Sequence, residues 1–402
     1  LVKRLLWLSF FSYMLIAFTL VIIGAMLPEI LNHYKQNYSN GGLLIFAQFV
    51  GFLLGVISMP ILVSKLGRKN VVVLGLIMIC FEFFTFFLPN WYFLFPLVGL
   101  AGYGAGVAES CIGTIILVTF QEKQANAMSK LEVAFGLGAL FMPLFSSVLI
   151  SKGIWEYAFL LLGLSSFLIL LGWRLLSFGK IDEFLIKNTD TNAAINKEHN
   201  SYTKKTFLII ILSAIYFFCY GGSEVSIVHF LPSIFMEEWE VPNSLATLTV
   251  TIYWSAMVIG RALTGIIAER LTYNMFLLLI NIGGLIVLIL LAISGNVWFG
   301  FFLCFFLGLF MAAMFAIALI ITNLYFPGQT EKTTSILLAT NGLGGSLIPI
   351  IIGQSMDKYP AQVTFWLFAC IMLIMLILII GIQLLGNTRS SVIREHDNNH
   401  KF

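Results

Sequence analysis

The sequence predicts an all-α integral membrane protein of twelve transmembrane helices, arranged as two related six-helix halves. Three observations carry that expectation. Hydrophobic residues make up 59% of the 402 positions and charged residues only 10%, against roughly 45–50% and about 25% in ordinary soluble domains. Apolar runs long enough to cross a bilayer, about 20 residues each, recur along the whole chain. Glycine, proline and serine positions in the first half reappear in the same order in the second.

The runs fall near residues 7–30, 42–64, 70–90, 92–120, 130–151, 155–178, 206–236, 244–268, 274–295, 297–326, 332–355 and 361–386. Turn or charge signals separate them. The first run lacks a small-residue cleavage site and is followed by many like it, so it reads as a span and not as a signal peptide. Residues 179–205, rich in Asn, Thr, Asp and Lys, form the one long polar connection. The expected organisation is therefore a bundle over 1–178, a cytoplasmic linker over 179–205, a second bundle over 206–386 and a cytoplasmic tail over 387–402.

Orientation follows from basic residues. With a cytoplasmic amino terminus, 19 of the 22 Lys and Arg residues fall inside, and only Lys35, Lys152 and Lys358 fall outside. That bias predicts a multi-pass protein of the cell (inner) membrane with both termini cytoplasmic. The five cysteines all lie in apolar segments without metal or disulfide spacing, and read as small buried hydrophobes.

The internal repeat is specific. Ser129, Gly136-Leu137-Gly138 and Pro143 in the fifth span match Ser335, Gly342-Leu343-Gly344 and Pro349 in the eleventh, each pair 206 positions apart. Leu27-Pro28 matches Leu231-Pro232, and Gly55 matches Gly260. Two parallel halves with a solute site between them near the midplane is a transporter construction.

An ionisable side chain inside a span costs about 2.5–3.5 kcal/mol at the helix centre on insertion scales, so each one calls for a reason. Glu109 lies in the fourth span on a face with Gly102, Gly106 and Gly113, a face small enough to pack closely or to line a cavity. A carboxylate desolvated on such a face holds its proton more tightly, which suits it to load and release a proton as a cavity alternates between sides. Glu224 closes a stripe with Tyr216 and Tyr220 on the seventh span, directly after Gly221-Gly222. Tyrosine offers a ring and a hydroxyl together, so the stripe suits a polyol. Glu132, beside Lys130 at the start of the fifth span, reads as a gating or salt-bridge residue. Glu82, in the middle of the third, reads as structural, and His229 as a buried hydrogen-bonded ring. Gln48, Trp254, Asn323 and Asn341 are uncharged polar candidates for a sugar site, and Tyr103 joins them.

No phosphate-cradling Gly-rich loop precedes a Lys and Ser/Thr, which argues against ATP as the direct energy source. Metal spacing and a nucleophile–base pair are also missing from the sequence. The chain thus reads as a non-enzyme without cofactor or metal.

Several segments together resemble the major facilitator superfamily, and within it the fucose, galactose and glucose proton symporters. They are Gly102-Tyr103-Gly104-Ala105-Gly106-Val107-Ala108-Glu109, the stretch from Ser129 to Leu140, Tyr220-Gly221-Gly222-Ser223-Glu224, Phe230-Leu231-Pro232-Ser233-Ile234, and Trp254 followed by Gly260-Arg261. The resemblance implies proton-coupled import of a hexose such as glucose or mannose, with Glu109 as a coupling residue; Glu224 is the second expected proton-coupling residue. It also departs from the family at two places. The first span offers no acid before Glu29, and Ser64 stands before Lys65 where the superfamily's loop usually carries an acid. The second half supplies Glu269-Arg270 at the equivalent place, so Glu132, Arg261, Glu269 and Arg270 are the expected gate. The expected partners are a small-molecule sugar, a proton and membrane lipid, with no nucleic acid, and the expected state is a monomer. An exporter of drugs or metabolites with the same fold is the alternative, kept open by 38 Phe and 14 Met.

Overall fold

In the computed structural model the described residues are 2–120, 124–178, 204–326 and 330–399, and almost all of them are helical. The first half consists of α1 (Val2–Tyr34), α2 (Tyr38–Leu66), α3 (Arg68–Cys80) with a 3-10 continuation over Phe81–Phe87, α4 (Trp91–Thr119), α5 (Gln124–Ser151) and α6 (Tyr157–Leu175). The second consists of α7 (Lys204–Trp239), α8 (Asn243–Arg270), α9 (Tyr273–Ile293), α10 (Val297–Met311), α11 (Met314–Leu324), α12 (Thr330–Lys358) and α13 (Gln362–Asn399). Among the described residues there are 12 stretches long and apolar enough to cross a membrane. The linker lies outside the described residues up to Lys204, where α7 begins. Helix α13 continues to Asn399, past the end of the apolar run at residue 386.

Two spans are not single α-helices. The third tightens into the 3-10 turn at Phe81 and ends at Leu88, which has a φ of 49°. The tenth is broken between α10 and α11 at Ala312 and Ala313. Starts are set by side-chain caps: Asn37, Asn90, Thr272 and Asn296 each accept a hydrogen bond from a first-turn backbone N–H, satisfying donors that the helix itself leaves free.

The helices pair alike in the two halves. In the first, α1 packs on α5, α2 on α4 and α3 on α6; in the second, α7 packs on α12, α8 on α10 and α9 on α13. The same roles recur six spans later, which is the duplication legible in the repeat. Between the halves, α2 packs on α12, α5 on α8 and α1 on α7.

Small residues set the closest approaches, as expected where apolar surface alone gives no preference between lipid and protein. A methyl added at Gly51 or Gly55 of α2 would collide with the carbonyl of Gly99 or Tyr103 on α4, and one at Gly102 or Gly106 with that of Gln48 or Phe52 on α2. The glycine face of α4 is therefore a packing face. Leu168, Phe302, Ile377 and Leu384 are exposed on the outside of the bundles, as a lipid-facing surface requires.

Candidate functional site

A cavity of about 550 Å³ lies between the halves, within the usual range for small-molecule sites of roughly 300–1,000 Å³. Its walls come from α1, α2, α4 and α5 on one side and α7, α8, α11 and α12 on the other. The charged residues in those walls are Glu109, Glu132, Glu224 and Arg261. Trp254, Asn341, Ser110 and His229 add polar atoms, and Phe49, Phe52, Phe135 and Phe315 add rings.

Arg261 organises the charges. Its Nη2 lies 3.7 Å from Glu224 Oε1 on α7 and its Nη1 lies 3.9 Å from Glu132 Oε2 on α5, so one guanidinium reaches both halves. The same guanidinium sits 5.6 Å from the ring centroid of Trp254, one helical stretch earlier on α8, in cation–π range. Glu109 is different: its Oε2 is buried without a hydrogen-bond partner. Helix α4 is held there from α1, because the Tyr13 hydroxyl donates to the Glu109 backbone carbonyl at 3.1 Å.

His229 forms part of the cavity wall with its ring turned edge-on to Phe49 at 5.6 Å. Its Nδ1 lies 2.7 Å from the Val225 carbonyl one turn earlier, which requires that nitrogen to carry the proton. Gly24 of α1 approaches so closely that an added methyl would meet the His229 Cα at 2.5 Å.

The structure brings together six of the expected residues: Glu109, Glu132, Glu224, Trp254, Arg261 and Asn341. It places the remaining described ones elsewhere. Gln48 is fully buried and its amide donates to the Thr19 carbonyl at 2.7 Å, joining α2 to α1. Tyr103 shares a 2.7 Å hydrogen bond with Ser58. Tyr216 accepts from Asn281 at 3.3 Å within the second half. Tyr220 is buried, with its hydroxyl 3.4 Å from the Met311 carbonyl and its ring 6.0 Å from Phe315. The Tyr216–Tyr220–Glu224 stripe therefore reaches the cavity only at its last member. The Asn323 amide donates to the Leu319 carbonyl and to Thr334. The side chains of Glu269 and Arg270 lie outside the described residues. Glu82, in the 3-10 turn of the third span, is fully buried away from this cavity.

Sequence reasoning did not single out Phe49, Phe52, Phe135, Phe315 or Ser110. Phenylalanine gave no signal, because 38 of them populate this chain and most serve the core or the lipid face.

Two parallel bundles, duplicated contacts and a cavity with charged residues in its walls between them define the architecture, and the Major Facilitator Superfamily model matches residues 9–235 and 212–398. The chain belongs to the major facilitator superfamily. Among relatives of this superfamily member, the glucose/mannose transporter GlcP of Bacillus subtilis is 28% identical over 371 residues, covering 90% of this chain and 89% of the relative. A putative glucose/galactose transporter of Helicobacter pylori is 24% identical over 381 residues, covering 89% and 90%. Among solved structures, a D-xylose-proton symporter superposes with a TM-score of 0.76 at 13% identity, covering 94% of this chain and 97% of that one. That likeness establishes the shared fold.

Proposed function

We propose that this protein is a secondary transporter that imports a hexose such as glucose or mannose together with a proton by alternating access, in the cell membrane and with both termini cytoplasmic. The single observation that carries the reading is the makeup of the cavity. It combines an acid without a countercharge, Glu109, an ion-paired acid, Glu224, and an indole, an amide and a hydroxyl at Trp254, Asn341 and Ser110. Paired donors and acceptors beside flat apolar rings are what a sugar needs. The names of the Bacillus and Helicobacter relatives support the solute, and that of the D-xylose-proton symporter supports the coupling ion.

In this reading Glu109 is the proton carrier. A carboxylate without a countercharge in a low-dielectric wall is stable as the neutral acid, and it ionises when the cavity opens to water on the side where the proton leaves. Arg261 pairs with Glu224 and ties it to Glu132, so that the charge network spans the moving interface. Trp254, Asn341 and the phenylalanine rings hold the sugar. Both walls come from one chain, so a monomer is sufficient. The polar linker at 179–205 tethers the two bundles, and lipid covers their outer faces.

Uptake of labelled glucose into proteoliposomes, with and without an imposed inward proton gradient, tests the reading. Gradient-driven accumulation is expected, and solute-independent proton flux or none would refute it. A second reading, export of apolar drugs or metabolites, is favoured by the four phenylalanine rings in the cavity. It predicts efflux of an apolar dye under the same gradient and no glucose accumulation.

A further inference from the structure

The hydrogen bonds that join the two halves gather toward one face of the bundle, the face opposite to that at which α1 begins. Glu29 accepts from Asn243 at 2.9 Å, joining α1 to α8. The Tyr38 hydroxyl donates to Glu237 at 2.7 Å, joining α2 to α7. A further link is of another kind. Asp357 of α12 accepts from the backbone N–H of Tyr38 through Oδ1 and from that of Ser39 through Oδ2, both at 2.7 Å. The Ser39 hydroxyl donates to the same carboxylate.

Tyr38 and Ser39 are the first two residues of α2. A helix leaves its opening N–H groups without internal partners, and here they are divided between two acceptors. Asn37 takes the N–H of Asn40 at 3.0 Å, and Asp357 takes the two before it. One carboxylate from the second half thus completes the cap of a helix of the first half, 319 positions away in sequence. The charge also fits the dipole, since the N-terminal end of a helix carries partial positive charge and favours an anion.

On its own helix Asp357 is badly placed. It stands in the last turn of α12 (Thr330–Lys358), where the dipole favours cations. Its position is unfavourable whenever α2 is absent and favourable only when α2 docks. Gly353, one turn earlier, lets α2 come that close, because a methyl there would collide with the Tyr38 carbonyl.

A contact made in one state and lost in another shifts the equilibrium between them by its own free energy. Asp357 contributes only while α2 and α12 touch at this face, so it biases the protein toward the state in which this face is closed and the cavity opens toward the other. We propose that Asp357 is a latch of the transport cycle: its carboxylate caps α2 across the two halves, and alternation to the opposite state requires that cap to break. The proposal does not depend on which solute is carried.

The test is a distance measurement on the full chain in lipid. Spin labels go on cysteines introduced at Lys152 and Tyr359, which are exposed and belong to opposite halves. Cys80 and Cys370 are replaced by Ala, leaving three buried cysteines. Wild-type protein is expected to show mainly the short distance. Asp357→Ala is expected to raise the ratio of long to short populations by about three- to tenfold, the range for a water-exposed charged cap. Asp357→Glu should restore most of the wild-type ratio, because it keeps the charge. If Asp357→Ala does not fold, Asp357→Asn, which keeps one acceptor and loses the charge, is expected to show the same shift at reduced size. A lower melting temperature with an unchanged population ratio in both variants would make Asp357 merely structural and overturn the proposal.

Discussion

The guanidinium of Arg261 stands 3.7 Å from the carboxylate of Glu224. Glu109, in the wall of the same cavity, has no cation beside it in any ion pair among the described residues. Two acids that the sequence presents alike are thereby separated into one with a fixed countercharge and one without.

Breaking a buried ion pair by removing one partner leaves an uncompensated charge, at about 3–5 kcal/mol when burial is complete. Arg261 and Glu224 are 36% and 20% exposed, so solvent screening reduces the expected loss to about 1–3 kcal/mol. Arg261→Gln and Glu224→Gln should each lower the melting temperature in detergent, and the double variant should recover part of the loss. Glu132 is 57% exposed, and Glu132→Gln should cost under about 1 kcal/mol. Fully additive losses in the first two would contradict the pairing.

Trp254 faces the cavity and stacks on Arg261, whereas Tyr216 is sealed inside the second half. Trp254→Ala should weaken glucose binding by about tenfold, equivalent to about 1.4 kcal/mol, and Tyr216→Phe should leave it within about twofold. Calorimetric titration of the purified protein distinguishes the two. Equal effects would move the solute site away from this cavity.

Gln48 donates to the Thr19 carbonyl and does not line the cavity. Replacing it by Leu removes a hydrogen bond worth about 0.5–1.5 kcal/mol net. The expected result is a lower melting temperature with unchanged glucose affinity. A selective loss of affinity would return Gln48 to the solute site.

A methyl at Gly344 would run into the Phe218 carbonyl on α7, whereas one at Gly295 would meet nothing within 4 Å. Gly344→Ala is expected to destabilise by about 1–3 kcal/mol through overpacking, and Gly295→Ala to stay within about 0.5 kcal/mol of wild type. Thermal unfolding in detergent checks both. Equal stability would mean that α7 and α12 can separate at no cost.

Much of the fold was readable because the bilayer imposes its own length on each helix and because the duplication keeps Gly136 and Gly342, or Pro143 and Pro349, in register. The breaks at Phe81 and Ala312 were not readable, since neither carries a proline to mark it. In the site, acids stood out because each is costly in hydrocarbon, and Glu109, Glu132 and Glu224 all line the cavity. Uncharged polar residues did not sort themselves. Gln48, Tyr103 and Asn323 each commit a hydrogen bond within or between helices, and periodicity alone does not distinguish that use from solute contact. Asp357 and its cap on α2 depend on a contact 319 positions long, which no local pattern announces.

The central claim is that Glu109 carries the proton, and proteoliposomes containing Glu109→Gln test it most directly. With an imposed inward proton gradient, accumulation of labelled glucose is expected to fall by at least about tenfold, equivalent to about 1.4 kcal/mol of lost coupling, while exchange of labelled for unlabelled glucose at equal concentrations continues near the wild-type rate. Accumulation at the wild-type level in that variant would contradict the account.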